Sequence, residues 1–496
     1  MNGKTSMAAV ILACLCSGGR SAQPPVSIIN IGNIRQTDID AFDCSRAGLN
    51  QELSLISFSD SAVIPRNYLY PIFEWTRPRN YQGVFILRLQ SAAAELLVAV
   101  RDNFWQPDAG QFNPFLTAKE VVATVFAFVK GKTCASLPVH ILIAGTSVPE
   151  QIVYRVVQPL FNPVLPNSIK VFSFDRRVPS GVVEFTGGSC AGCHAYSTDA
   201  AYFNIKNLDD RRLFLAVRQG QEFHYDWKKP GEFTFFSCSP DGRYTLVTMN
   251  AYGFFVNKPT INEPFDYPYM RGDIYWYDNQ KQTLNPLPGA SDPAYIEDMP
   301  SFSPDGRQVI FSRYQADVAK TKPPSATIPS MDLFKVEFNQ GRGGPPVPVR
   351  NASFNHHYHY FARYSPDGKW ISFCRGDGSK GIFARTSSDI YLLSADELHL
   401  RKLNLNLEKT MDSWHSWSAD SHWLIFSSNR GPGHLTALYL VYIDDSGRDR
   451  PPVRLISYPD MKVNTPQFIS PELKLERIGD VDGYIGKTYK EKGMIK

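Results

Sequence analysis

The chain has 496 residues, 43% of them apolar and 20% charged, and 52 basic against 48 acidic side chains leave a net charge of +4. That length exceeds one ordinary core, so two or three domains are expected, and the apolar fraction excludes a disordered chain. So even a balance gives no footprint for nucleic acid or an anionic membrane, while 24 Tyr, 32 Phe, 36 Pro and 34 Gly favour many strands joined by turns.

Residues 1–22 read as a signal peptide, with Lys4 as a weak basic start, an apolar run from Met7 to Cys16 and small residues up to Ala22. The run falls short of the ~18 apolar residues that span a bilayer, and no later stretch reaches them. Ile11-Leu12-Ala13-Cys14 also has the form of a degraded lipoprotein box, in which Cys14 carries lipid and tethers the protein. Secretion and lipidation stand side by side. Both place the chain in the bacterial periplasm or at the outer membrane.

From 26 to 180 a β-rich domain is expected. Gly83–Leu89 and Ala94–Val100 alternate as strands, and Pro138–Ile143 returns to strand. Thr117-Ala-Lys-Glu120 has the form of a capping box opening a helix. A small β-sandwich with one helix fits this text. His140 reads as a satisfied core or edge histidine, and a Cys44–Cys134 disulfide is open for an exported protein.

Cys190-Ala-Gly-Cys193-His194 follows. Two thiols at this spacing match the two vinyl groups of haem, and the adjacent imidazole falls beneath the iron as axial ligand. A structural zinc site needs four ligands, usually in two pairs, and there is no second CxxC. A Cys190–Cys193 disulfide leaves His194 unexplained. One covalent haem c held by Cys190, Cys193 and His194, with His194 on the metal, is the expected cofactor.

Downstream, FFSCSPDGRYTLVTM, PSFSPDGRQVIFSRY and ARYSPDGKWISFCRG are copies of one pattern, with degraded copies in HSWSADSHWLIFSSNRG and TPQFISPELKLE. Their turn serines, Ser239, Ser303, Ser365, Ser418 and Ser470, lie 64, 62, 53 and 52 residues apart. In Ser-Pro-Asp-Gly the serine bonds back to the turn, proline presets φ, and glycine accepts the exit geometry. Each copy is therefore the first hairpin of a unit of about four strands, which is the signature of a propeller blade. Ser197-Thr-Asp-Ala200 occupies the same place after His194, which puts the CxxCH on the strand entering the first blade. Six blades are expected, with seven as the alternative. Residues 181–482 would be propeller and 483–496 a tail.

These repeats resemble TolB-like β-propellers over roughly residues 230–480. Gln151–Pro159, then IKVFSFDRR, then the CxxCH and the turns, resemble in order exported TolB-like proteins with one haem motif. The order is similar, too, to the middle region of the hydrazine synthase alpha subunit. That subunit carries further haem motifs downstream, and none follows here, so its chemistry is not carried over.

For a sixth ligand to the iron the candidates are His356, His357 and His359, Met299, His415 and His224. His357 and His359 could alternatively share a strand face and bind a separate metal. The leading expectation is a monohaem c-type cytochrome passing single electrons to a redox partner protein. The alternatives are a haem enzyme with an open iron site, for peroxide or nitrogen oxides, and a TolB-like module binding protein or glycan with a structural haem.

Overall fold

Alternation and turn chemistry act over a few residues, and the computed structural model shows how far they reach. It describes residues 26–32, 34–40, 42–149, 151–157, 168–174, 191–197, 202–207, 213–220, 222–228, 233–253, 269–316, 330–377, 385–431, 434–458 and 460–469. The expected signal peptide, Cys14, Cys190, Ser470 and the tail 483–496 lie outside these. The chain divides into two units, Met1–Ser147 and Val148–Lys496.

In the first unit, Phe85–Gln90 and Glu95–Val100 pair antiparallel as their alternation requires. They lie within an eight-stranded sheet, beside a two-stranded one of Phe73–Glu74 and Phe104–Trp105. The expected sandwich is thus corrected to one large sheet and a ribbon. The expected helix is corrected as well. Glu120–Val129 is a strand in which buried positions recur mostly at every second residue. Its valines and phenylalanines suit a pleated surface, and that period outweighs a local capping pattern. A capping box does form nearby, where Asp108 and Gln111 exchange two 2.8 Å bonds at the short helix Ala109–Phe112. A second short helix spans Gln36–Asp40. His140 sits on Val139–Ile143 and meets Glu120 Oε1 on the neighbouring strand at 2.7 Å. Cys44 and Cys134 are free thiols.

The second unit is a β-propeller arrangement with five four-stranded antiparallel sheets. Their innermost strands are Ala191–Tyr196, Phe233–Cys238, Tyr295–Phe302, Tyr358–Tyr364 and Asp412–Trp417. A further sheet has three strands, Ser168–Ser173, Gln151–Val157 and Lys462–Ile469. Six four-stranded blades were expected, and five are found with this three-stranded sheet. Its strands come from before the first blade and after the fifth. Tyr154 Oη and Tyr458 Oη meet at 2.9 Å across that junction. Lys462–Ile469 packs on the fifth blade and also touches the inner strand of the first, which closes the ring. The boundary expected at 180 therefore falls near 147, because 151–157 and 168–173 need Lys462–Ile469 as their partner.

Three turns repeat one hydrogen-bond scheme. Ser239 Oγ donates to Asp241 at 2.6 Å and accepts the Tyr244 amide at 2.9 Å. Ser303 does the same with Asp305 and Gln308, and Ser365 with Asp367 and Trp370. Gly242, Gly306 and Gly368 sit at φ 68°, 69° and 73°, where a side chain is disfavoured. In the degraded fourth turn Ser421 takes that place at φ 61°.

Candidate functional site on the propeller axis

Each inner strand carries an irregularity at the same place. Phe235, Met299, Phe361 and Trp414 have left-handed backbones (φ 31°, 56°, 51° and 46°), and each stands four residues before its turn serine. Thr465, on Lys462–Ile469, is a fifth at φ 49°. The strand registers shift across these positions, so each is a bulge. Bulky side chains in this region cost about 1–3 kcal/mol apiece, and strain repeated at five sheets makes these positions candidates for a site. Cys193 stands four residues before Ser197, and the register of Ala191–Tyr196 shifts between Ala191 and His194. Cys193 thus occupies the first blade's version of a ring of bulges, and His194 follows Cys193 as His415 follows Trp414.

The bulges surround a cavity of about 60 Å³ on the axis, lined by His194, Met299, Arg363, His415 and Gln467 among aromatic rings. His194 is 5% exposed, and neither ring nitrogen has a hydrogen-bond partner among the described residues. Burial, with Arg155 nearby, pulls its pKa down to about 3, so the ring is neutral. His415 is 4% exposed. Its Nδ1 lies 3.5 Å from Cys374 Sγ, and its Nε2 is unpartnered. Burial and Arg363 bring its pKa down to about 3 too. Burial pushes the Cys374 thiol up to about 12, so it remains protonated.

Of the six residues considered opposite the iron, Met299 and His415 share this cavity with His194. His356 is exposed. His357 Nδ1 bonds Asp377 at 2.9 Å, and its Nε2 meets Arg375. His359 Nδ1 bonds the Met331 carbonyl at 3.1 Å, and Asn355 stands 3.5 Å from its Nε2. With these nitrogens engaged, the His357–His359 pair makes a poor metal site, and among the described residues no group of three His, Cys, Asp or Glu is placed to hold a metal. The side chain of His224 lies outside the described residues. Arg363 and Gln467 were not singled out from the sequence. The signal that finds the collar is a bulky residue four places before each turn serine.

His194 fits an axial ligand of haem iron, because it is neutral, buried and has free nitrogens. The space is a separate matter. About 60 Å³ holds an ion or a few waters, so a tetrapyrrole seats here only with the collar of Phe235, Phe361 and Trp414 displaced. A larger cavity, about 580 Å³, lies between the Ser239 and Ser303 turns and is lined by Asp241, Arg243, Asp305, Arg307 and Glu337. Asp241 and Asp305 there are already committed to turn hydrogen bonds.

No family model and no curated protein matches the chain. Among solved structures it is similar to TolB from Acinetobacter baumannii, at 14% identity over 70% of this chain and 78% of that one, with a TM-score of 0.43. Oligogalacturonate lyase from Vibrio parahaemolyticus gives 12% identity over 63% and 75%, with a TM-score of 0.36. Kuenenia stuttgartiensis hydrazine synthase gives 13% over 56% and 71%, with a TM-score of 0.35. TolB-like β-propellers and hydrazine synthase are thus among its structural neighbours.

Proposed function

We propose that the protein is an exported monohaem c-type cytochrome that passes single electrons to a redox partner protein, with the three-stranded sheet serving as a sixth blade. One haem c would be bound through Cys190 and Cys193, each thiol adding across a vinyl group, sulfur to one carbon and hydrogen to the other, with nothing leaving. His194 would supply the axial nitrogen. When bound, the group supplies one-electron chemistry at iron. The single observation that supports this reading is His194, a buried neutral imidazole with unpartnered nitrogens, directly after the cysteine that takes the first blade's collar position.

The chain's own residues have definable tasks. The strand backbone fixes the direction of His194, and the Cys374 contact orients His415. Met299 or His415, in the same cavity, would be available as a second donor. This ranks an electron carrier above a haem enzyme with an open iron site and above a TolB-like binding module with a structural haem. Export rests on residues 1–22, with Cys14 as an alternative lipid tether. Among the described residues no helix is long and apolar enough to cross a membrane.

The test is expression with a functioning haem-attachment system, followed by intact mass and optical spectra. One added haem per chain, lost in the Cys190→Ala/Cys193→Ala variant, is expected. A mature chain of unmodified mass overturns the reading.

A further inference from the structure

The axial cavity has donors on its walls and no acid. Arg363 lines it, and its Nη1 makes one long bond, 3.4 Å, to the Pro300 carbonyl. No carboxylate lies within ion-pair distance of Arg363 among the described residues. The inner-strand acids nearest in sequence to Met299 are committed elsewhere: Glu297 to Arg313 at 2.8 Å, Asp298 to the Thr248 hydroxyl at 2.9 Å. Cys374 stays a thiol and supplies no counter-charge. Around the same space stand two imidazoles at least nine-tenths buried with unpartnered nitrogens, the Thr465 hydroxyl, also unpartnered, and the Gln467 side chain. A guanidinium turned into a low-dielectric cavity with no acid opposite it is costly unless something negative joins it.

We infer that this cavity is a binding site for one small monovalent anion, a halide or an oxyanion of nitrite size. Arg363 provides the charge. The neutral imidazoles of His194 and His415 line the cavity, each with one N–H for which the Thr465 and Ser372 backbones compete, and the Gln467 amide provides a further N–H donor. The same arginine opposes a bare metal cation at this place, although the imidazoles alone would suit one. The volume admits an ion of a few atoms and excludes a nucleotide or a sugar phosphate. The inference needs no porphyrin and goes beyond the haem reading, so it is tested on the haem-free chain.

The experiment uses the full-length Cys190→Ala/Cys193→Ala protein and bromide as the probe. Thermal melts are recorded at constant ionic strength while sodium bromide replaces sodium gluconate, and bromide-soaked crystals are examined for anomalous scattering. The expected result is a Tm that rises and saturates with bromide, together with a bromine peak among Arg363, His194 and His415. Arg363→Met should abolish the dependence and melt higher than its parent without bromide, since the uncompensated charge is gone. Arg363→Lys should keep a weakened dependence, shifted roughly tenfold or more in midpoint. A melt indifferent to bromide with no axial peak overturns the inference, and so does a response that survives in Arg363→Met. Absence of covalent haem under maturation would overturn only the preceding proposal.

Discussion

His194, His359 and His415 are each held near pKa 3, against an ordinary 6.5, mainly by burial. Glu297 and Asp298 move the other way, up to about 7, for the same reason. A histidine with a lowered folded pKa takes its proton only on unfolding, so its stabilisation is lost as pH falls below 6.5. A carboxyl with a raised folded pKa releases its proton on unfolding, so acid favours its folded form. Between about pH 4.5 and 6.5 three histidines oppose two carboxyls, and the net uptake on unfolding is one proton. Stability should therefore fall on acidification by about 1.4 kcal/mol per pH unit. Asp298→Asn keeps an oxygen for Thr248 and the Met299 amide and removes one opposing proton. Urea melts at pH 5 and 6 should then show about twice that slope, and an unchanged slope would refute the assignment. At this scale the CxxCH and His415 were legible, because cysteine and histidine are rare and sit at a recognisable spacing. Arg363 and Gln467 were not, since one arginine among 52 basic residues acquires meaning only when the strands converge.

The hairpins were readable because a Ser-Pro-Asp-Gly turn is complete within six residues and repeats. Gly306 offers a clean measure of what its glycine contributes. A Cβ there would meet nothing closer than Pro240 Cδ at 3.5 Å, an ordinary contact, yet φ is 69°. Gly306→Ala should cost about 1–2 kcal/mol by backbone strain alone, read as a lower urea midpoint with an unchanged m-value. Loss of cooperativity instead would mean that the turn does more than set geometry. The bulges at Phe235 and Met299, upstream of Gly242 and Gly306, were not read from the sequence. A left-handed Phe or Met is not marked by its own residue type, only by its place four residues before a turn serine, a regularity that gains meaning once the strands converge on an axis. The misread helix at Thr117 has the converse cause, for a four-residue capping pattern was outweighed by a ten-residue strand with neighbours on both sides.

The ring of sheets was legible from its repeat, but the expected six four-stranded blades exceed the five found by one. Gln151–Val157 finds its partner in Lys462–Ile469, some 300 residues away, and no local pattern encodes such a pairing. That strand is the hinge of the molecule's cooperativity. Deleting 462–496 should leave the sheet of 151–157 and 168–173 without an inner strand, exposing an unpaired edge beside the fifth blade. The truncated protein should melt at least 10 °C lower or aggregate, as followed by circular dichroism and light scattering. Native melting of the truncated chain would show that the closure is dispensable.

Such a closure also imposes an order of events. The first blade's inner strand, with Cys193 and His194 on it, is flanked on one side by a sheet whose last member, Lys462–Ile469, lies far along the chain. Until that member docks, His194 lies on an open rim. Once it docks, His194 is sealed inside. A group too large for the axial space would have to be loaded before the circle shuts, while a small ion can still exchange afterwards.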